Sequence, residues 1–179
     1  MKNQIKKLPN VSIIIPCFNE ENTIEPLLEA IKKQNYPLDK LEVVISDAIS
    51  IDQTKNKILN FSKNNSKPKI VLVDNPKRTI PSGVNIAAAN ATGEILVRLD
   101  AHSEPNPDYI GTSVELLTTH VADNVGGIWN IQPGESTCIA KAIAKSAAHP
   151  LGVGDAQYRV SEKAQYTDTV PFGALYKNK

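Results

Sequence analysis

The sequence predicts an α/β fold, a Rossmann-like, mostly parallel sheet flanked by helices on both faces. Three observations predict it. Short apolar runs alternate with segments of helical period through the first two thirds of the chain. The runs are apolar at nearly every position, as strands covered on both faces require. Residues that start and stop helices, Asp52, Pro81 and Gly93 among them, punctuate the repeat.

In chain order, Val11 to Pro16 reads as a buried strand, and Asn22 to Gln34 as a helix with Ile24, Leu27, Leu28 and Ile31 on one face. Leu41 to Ser46 is the next strand. Asp52 to Asn64 follows as a helix with Ile58, Leu59 and Phe61 inward and Asp52 as its N-cap. The polar stretch Ser62 to Lys69 ends it. Ile70 to Val73 is a third strand, Pro81 to Ala91 an alanine-rich helix begun by proline, Gly93 its stop, and Glu94 to Leu99 a fourth strand.

Past Pro105 and Pro107 the pattern loosens. Asp108 to His120 reads as a helix, Val125 to Ile131 as a strand, Thr137 to Ala148 as another alanine-rich helix, and Gln165 to Tyr176 as a last strand. Leu151 to Arg159, with Gly152 and Gly154, reads as a mobile loop. Ile139, Ala140, Ile143, Ala144 and Ala147 form an apolar face, read as core contact with a membrane-surface face as the alternative.

With 179 residues, 41% hydrophobic and 22% charged, the chain has the makeup of one soluble globular domain. Its net charge of +1 and scattered basic residues argue against nucleic acid as a partner. Met1 to Lys7 holds three lysines but no apolar region or small-residue cleavage site, so no signal peptide is expected. No run approaches a membrane span. Cys17 and Cys138 lie far apart in no zinc or disulfide pattern, which points to a reducing compartment and a cytoplasmic location.

Ligands of doubly wound sheets bind outside the carboxyl ends of the strands. Those ends carry Pro16 to Glu20, Asp47, Asp74 to Arg78, and Asp100 to His102. There is no GxGxxG fingerprint and no GxxxxGK[ST] phosphate loop, so a dehydrogenase and a P-loop kinase lose ground. A nucleotide held by side-chain carboxylates and a metal is left. Asp100 and His102, two residues apart at the mouth of a buried strand, can turn toward one point and hold a divalent cation. A carboxylate with an imidazole suits Mn²⁺ or Mg²⁺, and would also suit Zn²⁺.

Each of these residues has a plainer reading. Asp100 could simply open a turn before Pro105, and Asp47 could be a structural turn, although a carboxylate ending a buried strand at a switch point favours nucleotide binding. Asp52 is expected to cap its helix, since the first N–H groups need an acceptor. Asp108 and Asp168 read as loop or cap residues, and His120 and His149 as surface residues.

The chain resembles the inverting family 2 glycosyltransferases, which have the GT-A fold. The segments that carry the likeness are Val11 to Glu21, with its Ile15-Pro16-Cys17-Phe18-Asn19-Glu20, Asp47 to Thr54, Asn75 to Glu94, and Arg98-Leu99-Asp100-Ala101-His102. Together with Thr167-Asp168-Thr169-Val170-Pro171-Phe172-Gly173 they look most like the succinoglycan glucosyltransferase-like subgroup. The resemblance implies one glycosyltransferase domain over 1–179, with a nucleotide-sugar-binding part at about 9–103 and an incomplete acceptor part at about 104–179.

It also implies roles. Pro16, Phe18, Glu20 and Asp47 would frame a uridine-type base and ribose, and Arg78 would lie near the base or diphosphate. Asp100 and His102 match the family's DxD position, where metal and diphosphate bind, with histidine in place of the second aspartate. Ala48 and Ile51 depart from the glycine and small residue usual there, which makes that loop less permissive.

The implied reaction moves a sugar, with inversion, from a nucleotide-diphosphate sugar, here a UDP-sugar, to a saccharide or lipid-linked acceptor in polysaccharide biosynthesis. Mn²⁺ or Mg²⁺, with Arg78 or Lys77, would stabilise the leaving diphosphate. The general base of relatives follows the strand that carries Phe172-Gly173, so it is expected after Lys179 and this chain alone is expected to lack it. A cytoplasmic protein peripherally associated with the inner face of the plasma membrane would suit a lipid-linked acceptor. The alternative is a non-catalytic nucleotide-sugar-binding module. A nucleotidyltransferase would need a glycine- and lysine-rich loop after the first strand, and Cys17 to Glu20 is not one.

Overall fold

The four apolar runs of the first hundred residues form parallel strands side by side. The computed structural model describes residues 8–154, 156–161 and 163–178; Met1 to Lys7 and Lys179 lie outside the described residues. β1 (Val11–Cys17) sits between β2 (Leu41–Asp47) and β4 (Ile95–Arg98), with Val11 level with Leu41 and Ile95. β3 (Lys69–Asp74) is parallel to β2. Beyond β4 come β6 (Gly173–Tyr176) and then β5 (Asn124–Gly126), giving the order β3-β2-β1-β4-β6-β5. β6 is antiparallel to β4, with Ala174 opposite Val97.

Alternation of side chains along each strand divides the core into two layers. On one face Val11, Ile13, Ile15, Val43 and Val97 pack with Ile24, Leu27, Leu28 and Ile31 of α1 (Ile24–Lys32). Ile58 and Phe61 of α2 (Thr54–Asn64) join the same layer. On the other face Ile14, Val44 and Leu96 pack with Ala87 of α3 (Ile80–Asn90) and with Ala91. Both faces are covered, so the strands read as continuous apolar runs. Each fully buried isoleucine or leucine here contributes about 1.5–3 kcal/mol. α4 (Tyr109–Thr118) adds Ile110, Val114 and Leu117 to the first layer.

Several boundaries differ from the sequence reading. α2 begins at Thr54 with Gln53 in the cap position, so Asp52 is not the N-cap, although its Oδ1 still accepts the Thr54 N–H at 3.0 Å. Leu59 is 46% exposed instead of inward. α3 begins at Ile80, with Thr79 as the cap that accepts from Ser82. Gly93 is not a helix stop, because α3 has already ended at Asn90. Its role is close approach: a Cβ there would lie 2.6 Å from both the nitrogen and the hydroxyl of Ser12.

The chain forms two compact units: the described residues of Met1–Val125 with Ala174–Lys179, and those of Gly126–Gly173. The strand expected from Val125 to Ile131 stops at Gly126, and the one expected from Gln165 to Tyr176 covers only its last four residues. The apolar side chains of these stretches pack on one another instead. Trp129 stacks on Phe172 and meets the edge of Tyr158, both at 4.9 Å, and the Arg159 guanidinium lies 5.1 Å above the indole. α5 (Cys138–Ala147) forms as expected. The expected loop after it contains two single-turn helices, α6 (Pro150–Val153) and α7 (Gln157–Val160). The apolar face of α5 is not a core face throughout: Ala144 is buried, but Ile139 and Ile143 are 74% and 64% exposed. Alanines are short, so the helix seats on them and leaves the longer side chains beside them in solvent.

Candidate functional site

Three loops leave the carboxyl ends of β1, β2 and β3, and each contains a non-glycine residue in the left-handed region: Asn19 (φ 53°), Ile49 (φ 60°) and Arg78 (φ 54°). That conformation costs about 1–2 kcal/mol for an ordinary side chain and is worst for a β-branched one. Such strain persists only where surrounding contacts hold it, and it concentrates at functional sites.

The contacts are a lattice between the first two loops. The Asn19 N–H donates to Ser50 Oγ at 2.9 Å, and the Ile51 N–H donates back to Asn19 Oδ1 at 3.0 Å. The Glu20 N–H donates to Thr54 Oγ1, the Glu21 N–H to Asp52, and the Gln53 N–H to Glu21. Asp52 therefore ties the two loops together. Burial alone would raise its carboxyl, but the hydrogen bonds from Thr54 and from the Glu21 amide hold it below the ordinary aspartate value.

Asp47 ends β2 fully buried, and its two oxygens accept the Ser50 N–H at 3.0 Å and the Ser50 hydroxyl at 2.5 Å. Arg78 reaches over from the third loop. Its Nε donates to the Ala48 carbonyl at 3.0 Å and its terminal nitrogen to that of Ile49 at 3.3 Å, while the guanidinium lies 5.1 Å from the Phe18 ring centre. Phe18 is 45% exposed above it. Pro16 is held from below by α3, since a Cβ on Gly83 would come 3.2 Å from Pro16 Cβ. This close approach accounts for a glycine in Pro81-Ser82-Gly83.

After β4, Asp100 Oδ1 lies 3.4 Å from the Arg98 guanidinium, and His102 Nδ1 lies 3.1 Å from Glu20 Oε1. The structure thus brings Glu20 to His102, Phe18 to Arg78, Asp47 to Ser50 and Asp100 to Arg98. Among the described residues, no three carboxylate, imidazole or thiol groups gather as a ready-made cation cage. Asn19, Ser50 and Arg98 had no role in the sequence reading. All three lie inside the segments that carry the family resemblance, which is the signal that points to them.

The mouth of the site is acidic. Burial pushes the Cys17 thiol up to about 12, and the nearby charges of Asp47, Glu20 and Asp52 push in the same direction. A divalent cation would offset these carboxylates for a diphosphate, alongside the Arg78 and Arg98 guanidiniums. Mg²⁺ and Mn²⁺ sites of that kind take one or two protein ligands and complete their shell with water and phosphate oxygens. The partly exposed donors Asp100 and His102, beside Glu20, fit such a set.

Comparison with known proteins agrees with this architecture. Structures of similar fold are GT-A glycosyltransferases. One is a mannosyltransferase from Pyrobaculum calidifontis in complex with GDP-Man and Mn²⁺, at TM-score 0.65 and 30% identity over 80% of this chain and 41% of that one. The Staphylococcus aureus protein TarS, residues 1–349, shares the fold at TM-score 0.63 and 23% identity, covering 72% of this chain and 38% of that one.

The model of glycosyl transferase family 2 matches residues 12–179, and the chain belongs to that family. Similar curated proteins include a dolichyl N-acetyl-α-D-glucosaminyl phosphate 3-β-D-2,3-diacetamido-2,3-dideoxy-β-D-glucuronosyltransferase of Methanococcus voltae, 31% identical over 94% of this chain and 53% of the relative. Another is the succinoglycan biosynthesis protein ExoA of Rhizobium meliloti, 32% identical over 87% and 46%. The chain spans about half the length of these relatives.

Proposed function

We propose that these residues are the donor-binding part of an inverting glycosyltransferase that uses a UDP-sugar and a saccharide or lipid-linked acceptor in polysaccharide or glycan biosynthesis. The observation that carries this reading is the trio of strained loops, locked together at the carboxyl ends of β1, β2 and β3 beside Asp100 and His102. Phe18, backed by Arg78, offers a flat apolar face for the base, and Pro16 and Glu20 flank it. Because both Arg78 contacts to the second loop use its guanidinium, we assign it to the base platform. Asp47 shapes the ribose side through Ser50. The donor part is read as about 9–103 and the acceptor part as beginning at about 104.

Asp100 and His102 would hold Mn²⁺ or Mg²⁺, which when bound supplies charge stabilisation to the departing diphosphate. The mannosyltransferase of similar fold in complex with GDP-Man and Mn²⁺ supports a divalent ion, and structures of TarS with UDP and with UDP-GlcNAc share the fold. We read the location as the cytoplasmic side of the plasma membrane. Cys17 and Cys138 are free thiols, which fits a reducing compartment. No helix among the described residues is long and apolar enough to cross a membrane, and peripheral association is the form of attachment proposed.

A thermal-shift panel of UDP, GDP and their sugar conjugates, with and without Mn²⁺, tests the donor reading, since a ligand of the native state raises the melting temperature. A Mn²⁺-dependent shift with UDP compounds is expected, and no shift with any nucleotide would overturn it. Glycosyl transfer itself should require a longer chain that supplies the general base, whose absence costs about 10²- to 10⁴-fold. Comparable turnover by this chain and a longer one would place the base within it, and no transfer by the longer one would favour the non-catalytic module.

A further inference from the structure

Arg78 sits on a loop that the core hardly touches. Every residue from Pro76 to Ile80 is exposed, and Arg78 itself takes φ 54°. A side chain in that position has many alternatives open to it, so the loop must be held if the guanidinium is to stay on Ala48, Ile49 and Phe18. The one buried residue from Asp74 to Ile80 is Asn75, 2% exposed.

Asn75 closes the loop at both ends. Its N–H donates to the Asp47 carbonyl at 2.7 Å, which ties the start of the loop to the end of β2, and its carbonyl accepts the Arg78 N–H at 3.1 Å. Its side chain reaches across to the other end, where Nδ2 donates at 2.9 Å to the Thr79 carbonyl, which also accepts the Gly83 N–H in the first turn of α3. Arg78 is therefore bracketed between two points held by one residue.

The orientation of the amide follows from its chemistry, since a flipped group would set Oδ1 against the Thr79 carbonyl. Packing leaves it little slack, because a Cβ on Gly83 would come 3.1 Å from Nδ2. Oδ1 is buried and has no hydrogen-bond partner among the described residues. A buried acceptor left unpaired costs the fold, so the group is retained for what its donor does.

We propose that Asn75 is a positioning residue for nucleotide binding, whose amide fixes the third loop so that Arg78 backs Phe18 beneath the base. The proposal deepens the donor-binding reading above and rests on it.

The test is a double-mutant cycle on UDP affinity, read by calorimetry in Mn²⁺ with a urea melt of each chain. Arg78→Ala and Asn75→Ala should each weaken UDP by about tenfold. The double variant should bind no more weakly than Arg78→Ala, because the amide then has no guanidinium left to position. A residue that serves the fold alone would lower the melting midpoint and leave UDP affinity unmoved. Should the alanine variant not fold, Asn75→Ser, whose hydroxyl keeps a polar group at the site, enters the same cycle and should show the same dependence on Arg78.

A loss on replacing Asn75 that multiplies with the Arg78→Ala loss would overturn the proposal, and so would unchanged UDP affinity in the single Asn75 variant. The two readings fail separately. A native chain that binds no nucleotide removes the donor reading, and unchanged affinity in Arg78→Ala removes Arg78 from the platform, the proposal falling with either. A loss in Arg78→Ala without one at Asn75 removes Asn75 alone.

Discussion

His102 Nδ1 lies 3.1 Å from Glu20 Oε1, joining two loops whose residues are 82 positions apart. The contact sets the proposed metal ligand against a carboxylate from the first loop. It leaves Nε2, or Nδ1 after Glu20 moves aside, as the nitrogen available to a cation.

Asp100→Ala should abolish Mn²⁺-dependent binding of UDP, while His102→Asp should keep it, because a carboxylate restores an oxygen ligand that Mn²⁺ accepts. Isothermal calorimetry with Mn²⁺ and with EDTA checks both variants. Equal affinity of the unaltered chain under the two conditions would remove Asp100 and His102 from metal binding.

Asp47→Asn should weaken UDP by about 1–3 kcal/mol. The amide can accept from Ser50 with only one of its two polar atoms, so the Ser50 hydroxyl must give up its carboxylate acceptor and turn to accept from the amide nitrogen, which loosens the second loop. Ser50→Ala should reproduce part of the effect if Asp47 acts through that loop. Calorimetry of both variants, with a urea melt of each, separates a binding loss from a folding loss.

At the opposite, amino end of the strands, Glu42 is 7% exposed and accepts from the Ser12 hydroxyl at 2.5 Å and from the Thr92 N–H. Burial by itself would raise its carboxyl, but these hydrogen bonds and the Gly93 amide hold it below its ordinary 4.5. A folded-state pKa below the unfolded one means the ionised group stabilises the fold. That contribution should be complete above pH 4.5 and vanish as pH falls through the lower folded value. Urea melts across this range should show a loss in the native chain that Glu42→Gln, destabilised throughout by about 1–3 kcal/mol, does not show.

Gly93→Ala should destabilise the fold by about 1–3 kcal/mol through overpacking. The added methyl would meet the Ser12 nitrogen, which belongs to a central strand and cannot step aside. A denaturant melt measures it, and an unchanged midpoint would mean that β1 and the Thr92–Gly93 turn can separate at little cost.

Most of the sheet and the helices α1 to α4 were legible because their signals are local. A run such as Val11 to Ile15 buries both faces wherever it folds, and the spacing of Ile24, Leu27, Leu28 and Ile31 makes one helical stripe in any context. The rule that ligands meet the carboxyl ends of parallel strands then singled out Pro16 to Glu20, Asp47, Arg78 and Asp100 to His102. The short strands failed for the converse reason. Val125 to Ile131 is apolar enough for a strand, but beyond Gly126 its tryptophan finds Phe172 and Tyr158, and only the fold brings those rings near.

The sequence by itself determined the succession of β1 to β4 with α1 to α5, the parallel character of those strands, and the positions at which a polar site can form, since each depends on periodicity over a few residues. Tertiary structure alone decided which of those polar groups meet. Glu20 turns to His102, Arg78 lies under Phe18, Asn19 exchanges hydrogen bonds with Ser50 and Ile51, and Gly93 yields its side-chain space to Ser12. Each of these pairs is separated by 31 or more residues, apart from none by chemistry that a local pattern records. Tertiary structure likewise decided that α5 sits on its alanines, which left Ile139 and Ile143 outward. A helical stripe fixes which residues share a face, and the neighbour that arrives fixes which part of that face is covered.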